Sequence, residues 1–400
     1  MNLYLLVFLL LAAGAVLERF RPQYKNYIYG VCWGLMTVLL CLRYGQGTDY
    51  ITYEAIYNSI PLVVDFSSGY FFGASPEIGW RLLCALFRAF RAPFWVFTAA
   101  LGLAEMLLLH RVLTKYTSFR TAGLFLAYPV LFIVYMLSGL RQGLAMCLFL
   151  GIALPFYLEK RWFAYVVSIL LASSFHKAGY IWLILPVVYY LSTKIMLALV
   201  ALSAAVGLFL QIPAVRAWIL ETFPSYHLWQ FLYMGEISRF ALAERLISCT
   251  VLTALWFLLR KAGEELEQST ELLLKAYLCG LCLYLLLMQN SYYASRYAAV
   301  FKVLECVLAV RLLMKERKAA KAAAVFFFGL TLFMGLKNMN AMIREGFYDS
   351  AQVNLLNFPY VSVFQQDRIN DYTAYEEKYP GILESQMEDQ ELWLLEDGTE

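Results

Sequence analysis

The sequence predicts an all-α, polytopic integral membrane protein, and three observations support this prediction. Hydrophobic residues make up 62% of the 400 residues and charged residues only 15%, whereas a soluble fold of this size needs far more polar surface. Apolar runs close to the ~20 residues that span a bilayer recur along the chain. Lys and Arg gather in short clusters between these runs, as they do in cytoplasmic loops. These features exclude a soluble enzyme, and the sequence has no basic surface that would bind nucleic acid.

We predict about 12 transmembrane helices, one for each apolar run. The runs cover residues 2–17, 27–42, 94–112, 121–138, 140–158, 162–175, 179–191, 195–210, 240–259, 271–289, 296–314 and 322–336. The first run has no basic region before it and no small-residue cleavage pattern after it, so we interpret it as a retained helix rather than a signal peptide. The chain is therefore expected to be a multi-pass protein of the cell membrane.

The basic clusters predict the side of the membrane on which each loop lies. They are Arg19 with Arg21 and Lys25, Arg111 with Lys115 and Arg120, Lys160 with Arg161, Arg260 with Lys261, and Lys315 with Arg317, Lys318 and Lys321. Because all of these clusters fall on one side of the predicted spans, that side should be the cytoplasm. If residues 77–90 crossed the membrane, every later basic cluster would lie on the opposite side from the first. We therefore predict that this segment is a surface or re-entrant helix at the outer face.

The hydrophobic pattern divides the chain into two parts. Residues 1–345 are expected to form the polytopic membrane domain. Residues 346–400 lose the pattern and become acidic near the end, which predicts an extracytoplasmic tail that is largely disordered towards its C-terminus.

The first candidate site is the turn after the second predicted helix, which begins at Arg43 and contains the motif Gly-Thr-Asp-Tyr. Glycines permit a tight turn and a close backbone approach. Asp49 places a carboxylate directly before Tyr50 and Tyr53, and a carboxylate beside aromatic rings suits a sugar site. In the alternative interpretation, Thr48 or Asp49 only caps a short helix.

The second candidate site is a hairpin between two apolar runs that carries Arg141 and Gln142. Arg141 is the only charge between Arg120 and Glu159, and burying it is costly unless it is paired or meets an anionic ligand. The alternative is that it snorkels to the outer headgroups. Glu77 is a candidate second carboxylate facing the substrate, with stabilisation by a helix N-terminus as the alternative.

Further candidate residues lie at other predicted outer helix ends. His176 and Lys177 supply two adjacent donors, although a lone histidine is often a packed polar residue. Arg239 belongs to an outer loop rich in aromatic residues, which suits either sugar stacking or an amphipathic cover. Arg245 and Arg296 place further cations near the outer ends of helices, and the alternative to ligand binding for both is an ion pair between helices.

No feature of the sequence indicates a metal or cofactor. The eight cysteines all fall within apolar helical segments, so neither a disulfide framework nor a loop metal site is predicted. Cys279 and Cys282 form a Cys-x-x-Cys, but without a second pair. Nucleotide and metal-binding motifs do not occur in a fitting context. We therefore expect neither a cofactor nor a bound divalent metal.

Three motifs in order carry a family resemblance: Gly-Thr-Asp-Tyr after the second helix, the hairpin Arg-Gln-Gly-Leu-Ala, and the step Phe-His-Lys. Together they resemble the EpsG family of Wzy-like exopolysaccharide polymerases, over about residues 1–345. The sequence departs from the family pattern after the histidine, where Ala178 replaces a small hydroxyl residue.

The resemblance implies a metal-independent membrane glycosyltransferase that joins polyprenyl-diphosphate-linked oligosaccharide repeat units into exopolysaccharide at the outer face. Arg141 would clamp the diphosphate, helped by Arg245 or Arg296, and Asp49, or in second place His176, would act as base. The expected substrate-binding residues are Arg43, Tyr50, Tyr53, Glu77, Gln142, Lys177, Arg239, Arg245 and Arg296. Besides the lipid-linked glycan and membrane lipid, the candidate partners are a polysaccharide flippase and a chain-length regulator.

Two other functions remain open at the level of the sequence. A lipid-linked oligosaccharide flippase would also need cations for the diphosphate, but its charges should line a path to both faces of the membrane. A membrane acyltransferase that modifies a polysaccharide would use His176. In that case the basic residues Arg43 and Arg141 would lack an anionic substrate.

Overall fold

A computed structural model describes residues 2–60, 76–346, 348, 352–369 and 371 of the chain. Within these ranges the chain folds into helices, and an isolated antiparallel bridge pairs Arg43 with Ser362. The prediction of an all-α protein is confirmed for the part of the chain that the structure describes.

The helices follow one another with short connections. The α-helices are α1 (Leu3–Phe20), α2 (Lys25–Leu42), α3 (Tyr50–Ser59), α4 (Ile78–Ala89), α5 (Phe94–Tyr116), α6 (Arg120–Ala127), α7 (Leu140–Leu148), α8 (Leu154–Leu158), α9 (Trp162–Ser173), α10 (Leu185–Tyr190), α11 (Thr193–Phe209), α12 (Pro213–Thr222), α13 (Tyr226–Tyr233), α14 (Arg239–Lys261), α15 (Gln268–Leu286), α16 (Ser291–Val303), α17 (Glu305–Leu313) and α18 (Lys318–Glu345). Short 3-10 helices cover Pro22–Tyr24, Lys177–Ile184 and Gln366–Ile369, and π-helical stretches cover Tyr128–Met136 and Phe149–Ala153.

Polar side chains cap several of these helices where the sequence changes from loop to apolar run. The side chains of Asn2, Ser192, Ser238 and Asn290 each accept a backbone N–H from the first turn of the helix that follows. Such caps satisfy helix donors that have no partner within the helix.

The number of membrane spans differs from the prediction of about 12. Seven described helical segments are long and apolar enough to cross a bilayer, and the count rises to eight if α11 and α12, bent by 88°, form one span. The seven are Leu3–Phe20, Pro22–Leu42, Phe94–Tyr116, Leu140–Leu158, Arg239–Lys261, Gln268–Leu286 and Lys318–Glu345. The structure does not confirm 12 because some apolar runs form shorter helices. The 12 residues of α9, for example, extend only ~18 Å against the ~30 Å of a hydrocarbon core.

The segment predicted to be a surface or re-entrant helix is the short helix α4. Its 12 residues are too few to cross a bilayer alone. Trp80 of α4 packs against Tyr53 of α3 and Phe97 of α5, with ring centroids 5.4 and 5.3 Å apart. This aromatic cluster also contains Leu140 and Leu144 of α7. It fixes α3 and α4 beside the start of α7.

Part of the predicted tail packs back onto the membrane domain. The backbone N–H of Asn2 donates to the carbonyl of Leu356, and the N–H of Val363 donates to the carbonyl of Leu42. Residues 352–369 are thus joined to the ends of α1 and α2. The disorder predicted towards the end of the tail concerns residues that lie outside the described part of the chain.

A buried carboxyl group lies in α5 beneath the hairpin of Arg141. Glu105 is fully buried, and neither of its side-chain oxygens has a hydrogen-bond partner among the described residues. A Cβ added to Gly143 would lie 2.9 Å from Glu105 Oε1. An unpaired carboxylate at such a position is far costlier than a neutral group.

We therefore expect Glu105→Gln to unfold at or above the wild-type temperature in detergent, because the amide matches the carboxyl in size and carries no charge. Glu105→Ala is the control, and its cavity should lower stability by about 2 kcal/mol or more. A thermal unfolding series measures both variants. A large loss in Glu105→Gln would instead mean that a charged Glu105 compensates a cation, for which Arg43 is the candidate.

Candidate functional site

The glycine-rich turn joins α2 to α3 and lies against the hairpin before α7. Gly45 and Gly47 have φ values of 67° and 121°, which side chains with a Cβ rarely adopt. A Cβ on Gly47 would lie 2.2 Å from the carbonyl oxygen of Leu137. The N–H of Thr48 donates to Ser138 Oγ at 3.1 Å. The glycines therefore bring the turn into direct contact with the hairpin.

Arg43 holds this contact, and its predicted role in substrate binding needs correction. Its guanidinium is 1% exposed and donates only to backbone carbonyls. These belong to Leu40 at 2.9 Å, Gln46 at 3.2 Å, and Met136 and Leu137 at 3.1 Å each. With its donors directed inward, Arg43 joins the turn to the hairpin and is not placed to bind a substrate.

Asp49 lies at the N-cap position of α3, but its side chain caps no backbone N–H there. Its Oδ1 accepts a hydrogen bond from the Thr48 hydroxyl at 3.0 Å. Burial raises the pKa of Asp49, and the Thr48 hydroxyl, Arg296 and Arg141 act in the opposite direction. The Asp49 side chain therefore does not cap α3, in contrast to the alternative interpretation of the sequence. Asp49 is a half-buried carboxyl group in the field of two arginines.

Glu77 connects three segments that are distant in sequence. Its Oε2 pairs with Arg141 Nη1 at 2.7 Å, and its Oε1 accepts the backbone N–H of Lys177 at 2.9 Å. The neighbouring Gly79 N–H donates to the carbonyl of Ser174 at 2.7 Å. Burial acts to raise the pKa of Glu77, but Arg141 and the Lys177 N–H outweigh it and lower the pKa. Glu77 is therefore ionised and holds the hairpin and the histidine step together.

Arg141 faces the protein and does not extend freely to headgroups. Its side chain is 23% exposed, and its guanidinium lies 5.8 Å from the centroid of the Tyr53 ring. Its buried Nε has no hydrogen-bond partner among the described residues. Arg141 thus retains donor capacity beyond its ion pair with Glu77. The expectation that an arginine here needs a partner or an anionic ligand is met in part by Glu77.

His176 follows α9, and its Nδ1 accepts the backbone N–H of Ala178 at 3.3 Å. The pKa of His176 is lowered to about 4, chiefly by burial, which Glu77 opposes and Arg141, Arg296 and Lys177 reinforce. The ring is therefore neutral near pH 7. Because Nδ1 accepts, the proton lies on Nε2. This tautomer makes His176 a donor, which favours Asp49 as the base.

The last helices bring two more arginines to the same region. Gln142 Nε2 donates to the carbonyl of Arg296 at 2.7 Å, which joins α7 to α16. The Arg296 guanidinium lies 3.7 Å from the centroid of Tyr292, and that of Arg245 lies 4.4 Å from Tyr284. Within the described ranges neither arginine forms a salt bridge. Both remain able to meet an anion.

Three residues that were predicted to bind substrate are not placed with their side chains towards the candidate site. Tyr50 is fully buried between Tyr44 and Phe94, so it supports the site from the core. Lys177 contributes its backbone N–H to Glu77, while its side chain is exposed. Arg239 is exposed at the start of α14, and no contact among the described residues links it to the others.

A buried ionic cluster beside Arg245 was not predicted as a unit. Lys302 pairs with Glu244 and, at 2.7 Å, with Glu305, and the hydroxyl of Tyr277 donates to Glu305. These side chains join α14, α15, α16 and α17. Lys302 and Glu305 are three residues apart, but Glu244 and Tyr277 come from helices distant in sequence, so no spacing marks the whole cluster.

Tyr348 is a second site residue that sequence reasoning missed. It is buried, and its hydroxyl donates to the carbonyl of Gly45 and accepts the N–H of Gly47, at 3.2 Å each. A single tyrosine after the last helix carries no signal for such a contact.

Two cavities described in the structure lie away from the candidate site. One of about 610 Å³ lies between Ala15–Phe20, α6 and the start of α18, and one of about 300 Å³ is lined by Tyr116 and Arg311. Both lie at the helix ends near the basic clusters, opposite the candidate site. No group of three or more metal-ligating side chains occurs among the described residues, and metal independence stays a prediction.

The sequence model of the EpsG family matches residues 26–362 of this chain. The chain matches no curated protein and no solved structure. The matched range contains the turn of Asp49, the hairpin of Arg141, the step of His176 and the contacts of Tyr348. The resemblance predicted from three motifs is confirmed, and the chain belongs to the EpsG family.

Proposed function

We propose that this protein polymerises polyprenyl-diphosphate-linked oligosaccharide repeat units at the outer face of the cell membrane. Family membership and the membrane-spanning helices fit a polysaccharide-related function in a membrane. The finer proposal rests mainly on one observation. A half-buried carboxyl group, Asp49, lies within the field of Arg141 and Arg296, which come from different helices.

The reaction we propose is glycosyl transfer between two lipid-linked glycans. Asp49 accepts the proton of the acceptor hydroxyl as its oxygen attacks the anomeric carbon of the donor sugar. The bond between that carbon and the diphosphate oxygen breaks, and the diphosphate leaves with the bonding electron pair. Arginines that meet the leaving diphosphate stabilise its developing charge.

The arginines have different parts in this scheme. Arg141 begins paired with Glu77, so it enters the reaction already oriented. Arg245 and Arg296 stack on tyrosines and form no salt bridge in the described part of the chain, so no carboxylate holds their guanidinium groups directly. We assign the first capture of the diphosphate to Arg245 and Arg296, and stabilisation of the leaving group to Arg141.

The lipid-linked glycans of a deletion strain test the proposed function. Single repeat units should accumulate on the outer side of the membrane, because export precedes polymerisation. Accumulation on the inner side would instead identify a flippase, and an unchanged polymer lacking acyl groups would identify an acyltransferase. Purified protein in liposomes should make polymer from the extracted lipid-linked units, with and without a chelator of divalent ions.

A further inference from the structure

Tyr348 and residues 352–363, which follow α18, form a strap over the turn that carries Asp49. Gln46 Nε2 donates to the carbonyl of Pro359 at 2.6 Å, and the N–H of Tyr44 donates to the carbonyl of Val361 at 2.9 Å. With the bridge between Arg43 and Ser362, residues 359–363 run alongside residues 42–46. The back of the turn is therefore covered by the described part of the tail.

Tyr348 contacts the turn at its two most unusual residues. Its hydroxyl bridges Gly45 and Gly47, the two residues of the turn with positive φ. Glycine in this region has few steric restraints of its own, so hydrogen bonds from other residues select the observed conformation, and the Tyr348 hydroxyl supplies one at each glycine. The Tyr348 ring is fixed in turn by Phe358, whose ring centroid is 4.8 Å away.

We propose that Tyr348 is a positioning residue for Asp49, which follows Gly47 by two residues. The hydroxyl fixes the glycine backbone, and this backbone sets where the Asp49 carboxylate points. The proposal rests on the proposed function, in which Asp49 acts as the base. In this proposal the strap acts on the reaction by setting the position of the Asp49 carboxylate.

Tyr348→Phe tests the proposal because it removes one oxygen and keeps the ring. We expect kcat of polymerisation in liposomes to fall between about tenfold and a hundredfold with KM little changed, since a small displacement of a reacting group has effects of that order. Hydrogen exchange of the amides in residues 44–49 should become faster. An unchanged kcat with unchanged exchange would overturn the proposal.

The same strap provides a matched control. The hydroxyl of Tyr360 donates to the carbonyl of Leu39 in α2 at 3.1 Å and does not contact the turn. Tyr360→Phe likewise removes a hydroxyl of the strap, with one hydrogen bond where Tyr348→Phe removes two, so a general loosening of the strap would affect both variants. Equal effects on kcat and on exchange would therefore refute a specific role for Tyr348.

The variant Asp49→Asn separates this inference from the proposed function. If Asp49→Asn is inactive while Tyr348→Phe has wild-type kcat, the proposed base stands and the positioning role fails. If Asp49→Asn makes normal polymer, the assigned base itself is wrong. If the wild-type protein makes no polymer, the exchange comparison of Tyr348→Phe with Tyr360→Phe still decides whether Tyr348 fixes the turn.

Discussion

Asp49→Asn is expected to fold normally and to lose polymerisation by about 10²–10⁴-fold, the usual contribution of a general base. Asparagine retains an oxygen that can accept the hydrogen bond from the Thr48 hydroxyl. The Asp49 side chain makes no capping bond to α3, so the substitution removes no hydrogen bond from the helix and costs at most about 1 kcal/mol of charge interaction with its N-terminus. Initial rates of polymer formation in liposomes measure the effect.

The pH dependence provides a second readout of Asp49. A base must be deprotonated, and burial raises the pKa of this carboxyl group. The rate of polymer formation should therefore rise with pH, and the midpoint of this rise should lie above the pH range in which an exposed aspartate titrates. Because His176 has a pKa of about 4, no separate limb is expected near pH 6.5. Normal polymer from Asp49→Asn, or a limb near 6.5 that disappears in His176→Gln, would contradict the assignment.

Arg141→Lys is expected to reduce polymer formation by roughly a hundredfold, which corresponds to about 3 kcal/mol of transition-state stabilisation. In the wild-type protein Arg141 Nη1 lies 2.7 Å from Glu77 Oε2, and the ammonium group of a lysine can keep an ionic contact with this carboxylate. It lacks the planar set of donors that can hold Glu77 and a phosphate oxygen at once. The variant should therefore insert and fold, while single-repeat lipid accumulates in cells.

Two controls separate chemistry from structure in this experiment. Arg161→Lys changes an arginine of a basic cluster that is predicted to face the cytoplasm, and it should have wild-type activity. Glu77→Gln removes the ion pair but keeps an oxygen for the Lys177 N–H, so it reports the structural value of the pair. Near-normal polymer from Arg141→Lys would mean that Arg141 only supports Glu77 and that Arg245 and Arg296 hold the diphosphate.

The sequence predicted the class of fold because burial in lipid imposes a simple pattern. Long apolar runs with flanking cations are visible without any tertiary information. The number of spans was less predictable. Residues 162–175, for example, form an apolar run, but the helix within it has only 12 residues. Apolar character alone does not show whether a run reaches across the membrane.

The site was predictable where isolated charges mark it. Asp49, Arg141 and His176 stand out because a charge or histidine at an apolar helix end is rare. Arg43 stands out for the same reason, yet it binds backbone carbonyls. Tyr348 could not be found in this way, since one tyrosine among 29 has no distinguishing neighbourhood in the sequence. Only the tertiary contacts show whether a residue faces the candidate site or supports the turn from behind.

The contact of Tyr348 with Gly45 joins residues that are 303 positions apart. Ribosomes make the turn before α3 and Tyr348 only after α18. While the intervening helices are synthesised, the turn that carries Asp49 therefore lacks this hydrogen bond. The contact can form only once α18 has been made, so the turn and the segment after α18 must meet late in folding.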